Sequence, residues 1–234
     1  MTNNKIWAIV PAAGSGQRMG TATPKQYLTI NGVTILEITL RVLLDNSHID
    51  NIIVCLSEDD NHWTMLDVSN HLTIQEAIGG ATRSLSVMCG LRHIENTAAD
   101  NDWVLVHDAA RPCLSQVMLN KLVSQLKDDA VGGILAVPAK DTLKISGSNG
   151  KSIDKTLDRS LVWHAQTPQM FRYGLLRDAL QKSLDENIEI TDEASAMEDS
   201  GHQVKLVVGS ESNLKITSQE DLGLATFIIE TNQT

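Results

Sequence analysis

Short apolar, β-branched runs recur along this chain, and the segments between them carry apolar residues at helical spacing. That alternation is the pattern of a mostly parallel sheet covered by helices on both faces, and it excludes most other architectures. The strand candidates are Ile6 to Val10, Ile52 to Leu56, Leu72 to Gln75, Trp103 to His107, Ile134 to Val137 and Val204 to Val208. Most are continuously apolar, as strands buried on both faces must be. Helical stripes lie between them at Ile35, Leu36, Leu40, Leu43 and Leu44, and at Leu85, Met88 and Leu91. Further stripes fall at Leu119, Leu122, Val123 and Leu126, and at Leu175, Leu176, Ala179 and Leu180. All four read as core. The expected fold class is α/β, with residues 1–234 forming a single domain.

From Lys140 to Arg159 the alternation breaks into two polar-apolar strands around Ser146 to Lys151, and Asn149-Gly150 is a strong hairpin signal. A turn centred there sets Thr142 and Arg159 almost opposite each other at the base of the ribbon. An isolated two-stranded ribbon is marginal in water, so residues 138–160 are expected to pack as an arm against a second copy of the chain. A surface hairpin without a partner is the other reading.

Composition narrows function by exclusion. A net charge of -10, from 29 acidic against 19 basic residues spread evenly, disfavours a nucleic-acid-binding surface. The apolar run after Lys5 is too short for a signal-peptide core or a membrane span, which makes a soluble protein with no membrane association the expectation. Cys55, Cys89 and Cys113 are odd in number and far apart, and read as buried thiols of a cytoplasmic protein. No G-x-S-x-G elbow, H-E-x-x-H motif or zinc-ligand spacing occurs, so no metal-ligating residues are assigned. The seven histidines are scattered; His107 and His164 adjoin segments of interest but read as structural.

The densest chemistry follows the first strand, in Pro11, Ala12, Ala13, Gly14, Ser15, Gly16, Gln17, Arg18, Met19 and Gly20, and then Pro24-Lys25-Gln26. Small residues let backbone N-H groups close on an anion, and this loop leaves the carboxyl edge of the sheet, where open α/β folds bind ligands. Arg18 and Lys25 add positive charge beside any bound phosphates. An ordinary glycine-rich connection with two solvated cations fits the same residues. The spacing of Gly14, Gly16 and Gly20 has one residue too many for a dinucleotide fingerprint. Gly150-Lys151-Ser152 imitates the end of a P-loop, but Ile145 stands where the first glycine belongs.

A second informative segment, His107 to Pro112, begins where a strand ends on the same edge. Asp108 and Arg111, three apart, suit a hold on hydroxyls, phosphate or a metal-bound nucleotide, or else a local pair that orders the loop.

These blocks together resemble the 2-C-methyl-D-erythritol 4-phosphate cytidylyltransferases of the non-mevalonate isoprenoid pathway. The likeness runs nearly end to end: the glycine loop with Arg18; Pro24-Lys25-Gln26-Tyr27; Gly79-Gly80 with Arg83, Ser86-Val87 and Gly90-Leu91; and His107 to Pro112. It continues through Lys140 to Lys144, Asp158-Arg159, Gln166-Thr167-Pro168-Gln169, Thr191 to Ala194 and Asn213 to Thr217.

The resemblance implies a Rossmann-like sheet of the nucleotide-diphospho-sugar transferase type, and a reaction that joins CTP to methylerythritol phosphate with release of pyrophosphate. A phosphomonoester is already a nucleophilic dianion near neutral pH, so no general base is required. The work left to the protein is alignment and charge stabilisation, so cations are expected to dominate the site. By resemblance Arg18 and Lys25 stabilise the transition state at the CTP phosphates, and Arg159 and Lys215 hold the incoming phosphate. Pro11, Ala12, Ala13, Gly14, Ser15, Gly16, Gly80 and Ser86 line the cytidine pocket. Asp108, Arg111 and Thr191 contact the polyol or nucleotide, and Thr142 with Arg159 reaches a neighbouring subunit's site in a homodimer. Magnesium is implied, held mainly by the triphosphate. Lys215 and Arg159 also read as solvated cations, and Ala81 removes a possible side-chain contact to the base or ribose. A ribitol 5-phosphate cytidylyltransferase and a non-catalytic nucleotide-binding protein are the two rival readings.

Overall fold

The computed structural model describes residues 4–14 and 23–232. A seven-stranded sheet organises them. Its strands are β1 (Ile6–Pro11), β4 (Asn51–Leu56), β5 (Ile74–Ile78), β6 (Trp103–Val106), β7 (Gly132–Pro138), β10 (Trp163–Arg172) and β11 (Lys205–Val208). They lie in the order β11-β7-β10-β6-β1-β4-β5, and β10 alone runs antiparallel to both neighbours.

The sheet is covered because its strands cannot face water. Successive residues of a strand point to opposite faces. Accordingly Ala8, Val10, Ile52, Val54 and Leu105 pack with helices α1 (Ile35–Leu44) and α3 (Gln116–Leu126). Trp7, Ile9, Ile53, Val104 and Val106 pack on the opposite face with α2 (Arg83–His93), α4 (Tyr173–Asp185) and α5 (Glu193–Asp199). Leu36, Leu40, Leu43, Leu119, Leu122 and Leu126 have no exposed surface, and each such side chain stabilises the fold by roughly 1.5–3 kcal/mol. Four helices begin at polar caps: Thr34, Thr82, Ser115 and Asp192 accept from the backbone N-H three residues on. A third apolar cluster seats α6 (Gln219–Asn232) through Ala225 against Ile30, Ile35, Cys113 and Ile216, beside the short pair β2 (Thr29–Ile30) and β3 (Val33–Thr34).

The expected strands are all present, with one shift: the third begins at Ile74, and Leu72 is almost fully exposed. Cys55 and Cys113 are buried thiols, but Cys89 is only half-buried. Among the described residues, no helix is long and apolar enough to cross a membrane.

The hairpin is real and shorter than expected. Strands β8 (Lys144–Ser146) and β9 (Ile153–Thr156) pair Lys144 with Thr156 and Ile145 with Lys155. The turn is wider than two residues: Gly147 N-H donates to Ser152, and Gly150, at φ 66°, donates to Gly147. Leu157 N-H donates to Leu143, which carries the ladder to the threshold of Thr142. Just beyond, Arg159 turns its guanidinium back onto the Lys140 carbonyl. Every residue of both strands is exposed, including Ile145 and Ile153.

Candidate active site

Sheet order fixes where a ligand can enter. From β1 the chain moves outward to β4 and β5, then returns to lay β6 on the other side of β1. The crevice at the carboxyl ends of β1 and β6 is therefore the topological switch point. A cavity of about 780 Å³ opens there, walled by Pro11 to Gly14 after β1, Asp108 to Ala110 after β6, and Gly79 to Arg83 between β5 and α2.

The glycine loop is held from behind. Gln26, buried in the turn after Pro24, donates from Nε2 to the carbonyls of Ala12 (2.7 Å) and Gly14 (3.1 Å). That turn also points Lys25 at the cavity, where its Nζ donates to the Ile216 carbonyl at 3.2 Å. Ser15, Gly16 and Arg18 lie outside the described residues.

Across the cavity, Ser86 ties the Gly79-Gly80 segment to α2. Its Oγ accepts from Gly80 N-H (3.1 Å) and lies 3.0 Å from the Thr82 carbonyl, to which it donates. A Cβ on Gly79 would sit 2.6 Å from that of Ala13, and one on Gly80 would sit 2.4 Å from that of Leu85. Only glycine lets this segment approach so closely.

Asp108 is the electrostatic centre. Its Oδ1 accepts from Arg83 Nε at 2.8 Å; its Oδ2 meets Lys215 Nζ at 2.9 Å and Arg111 Nε at 3.4 Å. Burial by itself would raise the pKa of this carboxyl, but Arg83, Lys215 and Arg111 outweigh it and hold the group well below the usual carboxylate range. Arg83 in turn makes a forked pair with Glu193, Nη1 to Oε1 at 2.7 Å and Nη2 to Oε2 at 2.9 Å. Arg111 does not line the cavity; it donates to the Asn213 carbonyl at 2.6 Å and so fixes the strand of backbone that carries Lys215. Ile216 N-H donates to Ala110, completing that attachment.

His107 has no exposed surface, and burial pushes its pKa down to about 4, so the ring is neutral near pH 7. Its Nε2 faces the Arg111 carbonyl (3.2 Å), which can only accept, so the proton sits on Nε2. Nδ1 then accepts from the Thr167 hydroxyl at 3.0 Å, and Thr167 accepts from Asp108 N-H at 3.0 Å. The structural role read for His107 is thus to set the backbone at Asp108.

The cavity brings together Pro11, Ala12, Ala13, Gly14, Lys25, Gly80, Ser86, Asp108 and Lys215. Thr142 and Arg159 stand on the hairpin and do not line it, and Thr191 is exposed beside the start of α5, its N-H donating to Ser195. Cations do not dominate the described wall: Lys25, Arg83 and Lys215 stand against Glu58, Asp59 and Asp108. Arg83 and Lys215 are matched by carboxylates, Arg83 by Glu193 and Asp108 and Lys215 by Asp108, while Lys25 lies on the same wall as Pro11 to Gly14. Reading by motif missed the Arg83–Glu193 fork, which spans 110 residues, and the brace made by Gln26.

Residues 6–231 match the 2-C-methyl-D-erythritol 4-phosphate cytidylyltransferase family, IspD. The protein of that name from Pseudomonas syringae pv. syringae strain B728a is 50% identical over 218 residues, covering 93% of this chain and 92% of its own. Its counterpart from Pseudomonas aeruginosa strain PAO1 is 51% identical over 218 residues and 93% of each chain. Among solved structures, the Francisella tularensis 2-C-methyl-D-erythritol 4-phosphate cytidylyltransferase superposes with a TM-score of 0.81 at 39% identity, over 96% of this chain and 99% of that one. A crystal structure of a 4-diphosphocytidyl-2C-methyl-D-erythritol synthase reaches 0.84 at 38% identity, over 98% and 100%. A family match over residues 6–231, half-identical relatives covering 93% of the chain and a shared fold make the chain a member of the 2-C-methyl-D-erythritol 4-phosphate cytidylyltransferase family.

Proposed function

We propose that this protein converts CTP and 2-C-methyl-D-erythritol 4-phosphate to 4-diphosphocytidyl-2-C-methyl-D-erythritol and pyrophosphate, a step of isoprenoid precursor synthesis. An oxygen of the methylerythritol phosphate attacks the α-phosphorus of CTP in line, the bond from that phosphorus to the β-phosphate bridge breaks, and pyrophosphate leaves. No proton must be removed, because the attacking phosphate is a dianion. The observation that carries the reading is a pair of lysines, Lys25 and Lys215, on the wall of one cavity with Pro11 to Gly14, the first held by the Ile216 carbonyl and the second by Asp108. Such preorganised charge is what a transition state gathering charge on phosphoryl oxygens requires.

In this reading Lys25, together with Arg18, stabilises the CTP phosphates in the transition state. Lys215 receives the acceptor phosphate, and Asp108 meets the polyol hydroxyls. Pro11 to Gly16, with Gly80 and Ser86, form the cytidine pocket, largely through backbone groups. Magnesium fits as an ion carried by the triphosphate. Among the described residues no three His, Cys, Asp or Glu side chains converge to hold a metal, and the oxygens of Asp108 are already engaged by three cations. When bound, it would neutralise charge on the phosphates.

The domain comprises residues 1–234, with 138–160 as an arm that embraces a second copy. Exposed Ile145 and Ile153 on an otherwise marginal ribbon support a homodimer, with Thr142 and Arg159 offered to the partner's site and Thr191 at the substrate end of its own. Free thiols suit a cytoplasmic enzyme.

Pyrophosphate release with magnesium, crossing CTP, UTP, ATP and GTP against methylerythritol 4-phosphate and ribitol 5-phosphate, tests the proposal. Release with CTP and methylerythritol phosphate alone is expected. Preference for ribitol phosphate would reassign the acceptor, and silence with tight CTP binding would leave a nucleotide-binding protein.

A further inference from the structure

Glu193 is a buried carboxylate outside the cavity wall, and the reaction above gives it no task. Its position is set firmly. It is the first residue of α5, whose cap Asp192 accepts from Ser195 N-H at 3.0 Å. Gln169 on β10 clamps the same turn from the other side, donating to Asp192 Oδ2 at 2.8 Å and accepting from Ala194 N-H at 2.9 Å. From this anchored point both oxygens of Glu193 engage both terminal nitrogens of Arg83, which leaves Nε of the same guanidinium for Asp108 Oδ1 at 2.8 Å. The second oxygen of Asp108 then faces Lys215 at 2.9 Å.

We propose that Glu193 is a positioning residue for the acceptor half of the site, acting through Arg83 to fix the carboxylate of Asp108 and thereby the rest position of Lys215. The proposal rests on the cytidylyltransfer reading, in which Asp108 and Lys215 hold the methylerythritol phosphate. A planar guanidinium gripped at both ends by carboxylates has one orientation, and a carboxylate held by it at one oxygen presents the other in a fixed direction. Without the Glu193 charge the fork is lost. Arg83, which lines the cavity, can then turn toward incoming phosphates, and Asp108 is free to rotate. The groups beside the glycine loop belong to other contacts: Lys25 is held by Ile216, and the loop itself by Gln26. Damage should therefore fall on the acceptor and spare CTP.

The test is steady-state kinetics of the full-length protein and of Glu193→Gln, Arg83→Lys and the double variant, varying each substrate in turn. Glu193→Gln is expected to raise KM for methylerythritol phosphate by about tenfold or more while KM for CTP changes less than about twofold. Arg83→Lys, which keeps the charge and loses the fork, is expected to show the same split. The double variant should be no worse than the poorer single one, because both break one connection. Should Glu193→Gln fail to fold, the split in Arg83→Lys decides. Equal losses for both substrates, unchanged kinetics or multiplicative effects in the double variant would overturn the inference while the unsubstituted protein turns over. Silence of the unsubstituted protein would sink the proposed function and this inference with it.

Discussion

Lys25 donates from Nζ to the backbone carbonyl of Ile216 at 3.2 Å, so its ammonium is tied to the backbone next to Lys215, a second cavity-lining cation almost two hundred residues away in sequence. The carbonyl orients one ammonium, and the next residue back supplies the other. Positive groups gathered on one cavity wall cost electrostatic energy unless anions compensate them. Asp108 provides that compensation for Lys215, and bound phosphates would add to it.

The expected consequence is a loss of turnover without loss of fold. Lys25→Met and Lys215→Met should each lower kcat by about two to three orders of magnitude, as removal of a preorganised charge-stabilising group does. Lys215 is more than a third exposed and Asp108 keeps Arg83 and Arg111 as partners, so replacing Lys215 should leave the protein folded with a modestly lowered melting temperature. Measuring kcat alongside the melting temperature checks both halves. A Lys215→Met protein with kcat within a few-fold of the original would remove Lys215 from the reaction.

The brace behind the glycine loop leads to a different expectation. Gln26→Leu keeps the bulk of a buried side chain but strips the Ala12 and Gly14 carbonyls of their shared donor. Gly14 is exposed and can turn to water, but leaving the buried Ala12 acceptor unmet costs roughly 1–3 kcal/mol. Because those carbonyls belong to the loop proposed to meet CTP, KM for CTP should rise several-fold with KM for the acceptor little changed. This pattern is opposite to the one expected for Glu193. Equal effects on both substrates would mean that the brace stabilises the fold without shaping the CTP side.

How much of this was legible beforehand depended on the distance over which residues act. Runs such as Ile52 to Leu56 announce themselves, because a strand covered on both faces must be apolar at every position. Strand β10 escaped for the opposite reason: its centre is Gln166-Thr167-Pro168-Gln169, polar and interrupted by a register shift between Ala165 and Gln169. Those polar groups serve as fasteners. Gln166 holds Ser210, Gln169 holds the start of α5, and the Thr167 carbonyl holds Asn213. Helix α6 also escaped, its apolar residues divided between the Ile216 cluster and solvent, with Phe227 exposed. At the site, the block that follows a strand end pointed to Asp108, and the family resemblance pointed to Lys215, because each sits in a compact block. The fork from Glu193 to Arg83 joins two blocks through space, and no local spacing encodes it.

His107 leads to a pH prediction. Its folded-state pKa, lowered to about 4, lies below the ordinary value of 6.5, so below pH 6.5 the unfolded chain takes up a proton that the folded protein refuses. The stability linked to this group is present above pH 6.5 and is lost as pH falls toward 4. Between pH 7 and pH 5 the loss amounts to about 2 kcal/mol, from roughly 1.4 kcal/mol per pH unit over the titrating range. Asp108, whose pKa is depressed, contributes the same sign of dependence but only below the normal carboxylate range. Chemical denaturation of the protein and of His107→Gln at the two pH values should show their stability difference shrinking by that amount on acidification. A constant difference would mean that the imidazole protonates in place.

The arm sets the last expectation. Arg159 stands at the base of the β8-β9 ribbon, away from the cavity of its own chain, whereas Lys215 lines that cavity. If each site in a dimer takes Lys215 from one subunit and Arg159 from the other, Arg159→Ala and Lys215→Ala proteins are each inactive. Co-refolding them in equal amounts makes half of the dimers mixed, and each mixed dimer has one site with both residues intact. Activity should therefore recover to about a quarter of the unsubstituted value in a closed two-fold assembly. The readout is pyrophosphate release before and after exchange, with sedimentation velocity to establish that the species is a dimer. Recovery near zero in a verified mixed dimer would place both residues in the service of one chain, and a monomer at micromolar concentration would remove the shared site altogether.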